Sequence, residues 1–365
     1  MAPTLKIVCP RDGDVLTRHD GVENGHALTV TVRGSAPNGA EVLVNGQAAA
    51  AEGGAFACDL ALTGRTNVIE ARAAGLTDRI VVQWIQGSRK RFRFSADDNI
   101  QFLKDLGREP GRYRSLFDHW YLGFWREMHE EFGTKVHINI YYQTDGFDLT
   151  QMPAKWKEQW QANAAWLHVS FHALQDKPDR PYRNATYAQM AHDYDLVCGH
   201  IRRFAGNEVI GATTTVHWAE CPKDAVIALR DRGIERLIAL FDSQGADGEC
   251  TTGYYLPREQ CAYGDTRGAW HDPETDLTFI RCTSVVNTLE VEQIEPFLDA
   301  RTDTPHTAEM LELLIHEQYF REDLPEFYQP TVLDKVRTAL RWATDRGYEP
   351  VFWCDDFLGA PSPHP

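Results

Sequence analysis

The sequence predicts a small all-β sandwich followed by a larger unit in which strands and helices alternate. Three features carry that expectation. The first 86 residues break into short apolar runs separated by Gly, Asn, Asp and Pro clusters. From residue 90 to about residue 358, apolar runs alternate with segments of helical length and period, the pattern of a βα repeat. The two textures meet at a basic connector, GSRKR, residues 87–91.

In the first part the strand-like runs are LKIVCP, ALTVTVRG, AEVLVNG, GAFACDLAL, NVIEARA and RIVVQWI. The separators PRDGD, SAPNGA, VNGQ, AEGG and LTGRT supply residues that adopt turn conformations at little cost. Residues 1–86 therefore read as one sandwich domain. The stretch Val42 to Gly46 has the V-x-V-N-G form of a turn that resembles those of bacterial immunoglobulin-like modules, and the resemblance implies a spacer or an accessory on the carbohydrate side. Cys9 and Cys58 fall in this domain and read as two small core residues, able to bridge only in an exported protein.

In the second part, strands are expected near RFRFSA, KVHINIYY, WLHVSFHA, GATTTVHWA, RLIALF, LTFIRC, LELLIHEQ and PVFWCDD. Amphipathic helices are expected at SLFDHWYLGFWREMHEEF, ATYAQMAHDYDLVCGHIRRF, PKDAVIALRDRGI and VLDKVRTALRWATDRG. Parallel strands joined by helices gather their carboxyl ends on one rim, where functional groups collect.

Composition narrows the function. With 37 Lys+Arg against 53 Asp+Glu the net charge is -16, which repels phosphate backbones and anionic membrane surfaces. Nucleic acid is not an expected partner. No apolar run of about 18 residues offers a membrane span, and MAPTLKIVCP lacks the pattern of a secretory signal, so the chain as written reads as cytoplasmic. Eight cysteines without a CxxC pair disfavour a thiolate zinc site.

The ionisable residues at the strands' carboxyl ends form a set: Asp97 and Asp98, His172, His217, His316 with Glu317, and Asp355 with Asp356. Histidines and aspartates on one rim are the materials of a hydrolytic metal site with a separate acid and base. Adjacent strand residues point to opposite faces, so Asp97 and Asp98 are expected to do different work.

The order of these residues resembles the polysaccharide deacetylase superfamily, metal-dependent enzymes on a distorted (β/α)7-type barrel that remove N- or O-acetyl groups from sugars. The resemblance covers roughly residues 90–358. Phe94-Ser95-Ala96-Asp97-Asp98-Asn99 stands where the family has Thr-Phe-Asp-Asp-Gly, which implies Asp97 as general base and Asp98 as a ligand of a divalent metal, zinc foremost. Leu314-Ile315-His316 matches the closing Leu-x-His motif and implies His316 as general acid. The family's His-(Ser/Thr)-x-x-His motif, both histidines binding metal, has its spacing in His168-Val-Ser-Phe-His172 but not its second residue.

Strand geometry argues against carrying that motif over whole. On one strand face His168 and His172 lie about 13 Å apart, too far for one ion with bonds of about 2.1 Å. Either the chain leaves the strand after His168, or His168 faces the core and the second imidazole comes from elsewhere. His217 is the preferred candidate, giving Asp98, His172 and His217, with His168 the alternate and Asp176 a lesser one. The Arg-x-x-Pro-Tyr motif is displaced to Pro178-Asp-Arg-Pro-Tyr182, and Asp-x-x-Asp-Trp has no clean counterpart in HDPETDLTF.

Tyr141, Tyr142, Trp156, Trp160, Trp218, Trp270 and Tyr319 are aromatic candidates for stacking on a sugar, and QTDGFDLTQMPAKW and YYLPREQCAYGDTRGAWHDPE are candidate substrate walls. Two other readings compete with a carbohydrate deacetylase. One is a glycoside-cleaving enzyme using paired carboxylates such as Asp97 and Glu317; the other is a catalytically inactive glycan-binding protein.

Overall fold

A computed structural model describes residues 4–241 and 252–360. The chain divides into two compact units. The first holds the described residues up to 89 together with 269–278 and 356–360; the second holds 90–241, 252–268 and 279–355. Among the described residues, no helix is long and apolar enough to cross a membrane.

The first unit is built from two five-stranded sheets. One runs Lys6–Cys9, Leu28–Ser35, Ala55–Leu62 and Ala50–Glu52, with Val22–Glu23 pairing on Leu28–Ser35. The other orders Val15–Leu16, Leu76–Trp84, Thr66–Ala73, Leu43–Val44 and Gln47–Ala48. Alternation of inward and outward residues along each long strand delivers Leu28, Val30, Val32, Phe56, Leu60, Ile69, Ile80 and Val82 to one shared apolar core. The Asn45-Gly46 turn has φ of 47° and 82°, the left-handed pair that a two-residue hairpin needs. Cys9 is exposed, unlike the core position expected, and Cys58 is buried; both are free thiols. Trp270 belongs here, donating to the Asp12 carbonyl at 3.0 Å, not to a rim.

The second unit opens with β1 (Arg91–Asn99), α1 (Gln101–Arg108) and α2 (Trp120–Phe132). β2 (Val136–Tyr141), β3 (Leu167–Ala173), α3 (Tyr187–Phe204), β4 (Thr213–Thr214), α4 (Lys223–Arg230) and β5 (Arg236–Ala239) follow. The chain ends with α5 (Arg258–Arg267), β6 (Leu277–Arg281), β7 (Ser284–Val285), α6 (Val291–Arg301), β8 (Met310–His316) and α7 (Val332–Asp345). The main sheet orders β3-β2-β1-β8-β7 with every neighbouring pair parallel, and β4, β5 and β6 are successive strands of a second sheet. β1 and β2 are buried along nearly their whole length, as strands covered on both faces are. The helices turn buried apolar stripes inward: Met190, Tyr194, Val197, Cys198 and Ile201 on α3, which packs on β3, and Val332, Val336, Ala339 and Ala343 on α7.

Four expectations fail locally. GATTTVHWA forms only the two-residue β4, then turns at His217–Ala219, where Trp218 and Ala219 have φ of 69° and 47°. PVFWCDD pairs with β1 only through Glu349–Pro350; beyond it Asp355 accepts from the Phe352 N–H at 3.1 Å and binds Lys135, closing a turn. The supposed wall YYLPREQCAYGDTRGAWHDPE contains α5, whose start and stop are written in sequence as Pro257 and the left-handed Gly268. Trp156 and Trp160 are core residues, not sugar platforms.

Candidate metal centre

The two aspartates owe their placement to a bulge. The ladder between β1 and β2 steps from Ala96↔Ile138 to Asn99↔Ile140, so three steps on one strand face two on the other. Asp98 takes up the difference in a left-handed conformation, φ 60°, which for a residue other than glycine costs about 1–3 kcal/mol. Asn99 braces the bulge: its amide donates to the carbonyls of Ala96, Asp97 and Asn139 at 2.6, 3.1 and 3.2 Å, and Tyr121 donates to its oxygen at 2.8 Å. Simple alternation does not survive this kink. Both carboxylates act on His172.

Asp98 Oδ1 lies 3.0 Å from His172 Nε2 and 3.2 Å from His217 Nδ1, and those two nitrogens are 3.1 Å apart. The three donors come from the ends of β1, β3 and the turn after β4. His172 Nδ1 donates to the Thr215 carbonyl at 2.5 Å, which fixes its tautomer and leaves the Nε2 lone pair facing the other two donors. Three acceptors therefore converge where only protons or a cation can reconcile them. A tetrahedral zinc with bonds of 2.0–2.1 Å keeps its ligands about 3.4 Å apart, so a triangle of this size fits a small divalent ion after little adjustment.

The surroundings hold the donors in place. Tyr141 donates to Asp98 Oδ1 at 2.5 Å with its ring 5.3 Å from both imidazoles, and Gln318 Nε2 donates to Asp98 Oδ2 at 2.9 Å. His217 Nε2 points to Asp176 Oδ1 at 3.7 Å, which places Asp176 behind a donor and not among the three. Burial opposes ionising Asp98, but His316, His172 and His217 outweigh it and hold its carboxyl well below the usual range. Burial likewise disfavours a charged His172, and Asp97 and Asp98 more than offset it, raising that imidazole.

Asp97 stays outside the triangle. Asn139 donates to its Oδ1 at 2.6 Å, and its register partner on β8 is His316. His316 Nδ1 is anchored on Asn287 Oδ1 at 2.9 Å. Glu317, the acid that a glycosidase would need, is committed elsewhere: its carboxylate accepts from the N–H groups of Ile100, Gln101 and Phe102 at 2.7, 2.8 and 2.6 Å, capping α1. Asp355 and Asp356 take no part. Asn99, Asn139, Gln318 and Asn287 escaped sequence reasoning, because neutral amides carry no charge pattern; only the polar Asn139 inside an apolar strand was a signal.

His168 is not brought to the centre. Its ring stacks on Phe352 at 3.6 Å, on the face expected of a core residue. Burial drives its imidazole down to about 4, against the pull of Asp355. A histidine whose folded value lies below its unfolded one, about 6.5, contributes stability fully above that pH and loses it as pH falls toward 4. Unfolding free energies from urea titrations should fall between pH 7 and pH 4 by up to about 3 kcal/mol more in the wild type than in His168→Gln. Equal slopes for the two proteins would refute the assignment.

No family model matches this chain, and no curated protein does. Among solved structures it is similar to a 4-alpha-glucanotransferase from Thermococcus litoralis, at 13% identity over 71% of this chain and TM-score 0.42, where it spans only 36% of that enzyme's length. It is also similar to a Streptococcus mutans CE4 esterase, at 11% identity over 71% of this chain and 84% of that one, TM-score 0.35. A putative polysaccharide deacetylase from Mycobacterium smegmatis shows 12% identity over 76% and 89% of the two chains, TM-score 0.42. At such scores the likeness is one of outline, and the side chains around Asp98 must carry any functional reading.

Proposed function

We propose that this chain is a metal-dependent hydrolase that removes acetyl groups from an N- or O-acetylated carbohydrate. On this reading residues 90–358 are a catalytic domain of the distorted (β/α)7-barrel type, and residues 1–86 an immunoglobulin-like accessory. The observation that carries it is the triangle of Asp98 Oδ1, His172 Nε2 and His217 Nδ1, 3.0–3.2 Å on a side, with a second carboxylate, Asp97, held just outside it. Zinc suits two imidazoles and one carboxylate.

An ion bound there supplies a Lewis acid for the scissile carbonyl and makes water a better nucleophile near neutral pH. Asp97, oriented by Asn139, accepts the proton that the attacking water gives up. His316, anchored through Nδ1 on Asn287, delivers a proton from Nε2 to the departing nitrogen or oxygen. Acetate and a free amine or alcohol leave, with one water consumed. Thr215 and Tyr141 keep His172 and Asp98 aimed throughout.

Elemental analysis of purified protein should find about one divalent ion per chain. Asp97→Asn should retain that ion while acetate release from acetylated oligosaccharides drops by about 10²–10⁴-fold. A wild type that binds no divalent ion defeats the proposal; one that binds metal and sugar yet releases no acetate favours the inactive glycan-binding alternative.

A further inference from the structure

The imidazole of His316 is held by a line of side chains that ends at a buried lysine. Lys335 is 2% exposed and lies in the first turn of α7, its backbone N–H donating to the Thr331 carbonyl at 2.9 Å. Burying an ammonium is unfavourable, and the first turn is the positive end of a helix, so the position opposes a lysine twice over. Two acceptors offset this: Gln329 Oε1 at 2.9 Å and the exposed Glu290 carboxylate, farther off at 3.8 Å.

An ammonium has only hydrogens to offer, so it fixes which way the Gln329 amide faces. Oε1 turns to Lys335, and Nε2 is left to donate to the Asn287 carbonyl at 3.0 Å. The Gln329 backbone is tied as well, its N–H donating to the Tyr319 carbonyl at 2.9 Å and its carbonyl accepting from the Val332 N–H at 3.0 Å. One residue thereby joins the turn after β7, which holds Asn287, the turn after β8, which holds Tyr319, and the start of α7. Asn287 is buried and presents Oδ1 to His316 Nδ1 at 2.9 Å. A protonated imidazole also has only hydrogens to offer, so an oxygen is the atom that a proton donor at this position requires there.

We infer that Gln329, oriented by Lys335, is a positioning residue for His316: it pins Asn287, so that Nδ1–H stays engaged and Nε2 stays aimed at the departing group. This rests on the reading of His316 as proton donor given above.

Gln329→Glu separates positioning from folding. The carboxylate still accepts from Lys335, now as an ion pair, but it sets an oxygen against the Asn287 carbonyl where a donor stood. Its kcat for acetate release should fall by about 100-fold, while KM, metal content and the thermal midpoint stay close to wild type. Lys335→Met, which frees the amide to turn over, should lower kcat without altering KM. In metal-free protein, nitrogen-resolved NMR should find a slowly exchanging Nδ1 proton on His316 in the wild type and fast exchange in Gln329→Glu. An unchanged kcat in Gln329→Glu, an unchanged exchange rate, or a loss of kcat that tracks lost metal or a lower thermal midpoint overturns the inference. A wild type that releases no acetate defeats the hydrolase reading instead, and the Nδ1 proton then decides alone whether Gln329 positions His316.

Discussion

Asp98→Ala should yield a folded protein that retains no divalent ion and releases no acetate. Asp98 contributes the one anionic donor of the triangle, and its Oδ1 is also where His172, His217 and Tyr141 converge. Losing even an outer-shell partner of a ligand typically costs 10–100-fold in metal affinity, and losing the ligand itself costs more. Asp98→Asn keeps an oxygen but not the charge and should fall between the two. His217→Ala should match Asp98→Ala, whereas His168→Ala should leave metal content at the wild-type level because His168 packs on Phe352 instead. Equilibrium dialysis against zinc decides the series. A metal-replete Asp98→Ala, or a metal-free His168→Ala, would refute the ligand set.

The second large effect concerns stability. Arg93 and Glu312 are fully buried and meet as a two-pronged pair, Nε to Oε2 at 2.9 Å and Nη2 to Oε1 at 2.7 Å. Ser95 and Trp353 donate to the same carboxylate at 2.9 and 2.6 Å, while Arg93 Nη1 reaches His137 Nδ1 at 2.7 Å. Such a pair is no guarantee of stability as a whole, but breaking it by removing one partner strands a charge in the core and costs about 3–5 kcal/mol. Glu312→Gln should lose that much in urea unfolding, and the double replacement Arg93→Met with Glu312→Leu should recover most of it. A loss below about 1 kcal/mol for Glu312→Gln would mean that water reaches the pair after all.

Much of this arrangement is readable from the sequence, and the reasons are physical. Asp97 and Asp98 stand out because an apolar run ends in two acids, and His172 and His217 because each closes an apolar run of its own. Reach along a strand argues that His168 and His172 cannot share an ion, and His168 indeed sits against Phe352. The failures come from backbone departures that residue types alone do not announce. Asp98 leaves the alternation through a bulge, and the strand expected before His217 shrinks to Thr213–Thr214 because the chain turns there. Glu317 looked like a catalytic acid because it follows His316; only the fold brings the first turn of α1 against it.

The register of β1 against β8 has a further consequence, for the time at which the protein becomes competent. Asp97 lies opposite His316 and Arg93 opposite Glu312, partners 219 residues apart in the chain. Pairings of that span close a long loop and form late in folding. A nascent chain that has delivered Asp97, Asp98, His172 and His217 still lacks β8, and with it the strand that backs β1, the His316 imidazole, and the Glu317 and Gln318 contacts that steady the bulge. Synthesis must pass residue 318 before Asp97 can face His316 and Gln318 can reach Asp98, so a ribosome-released fragment ending short of β8 is expected to release no acetate.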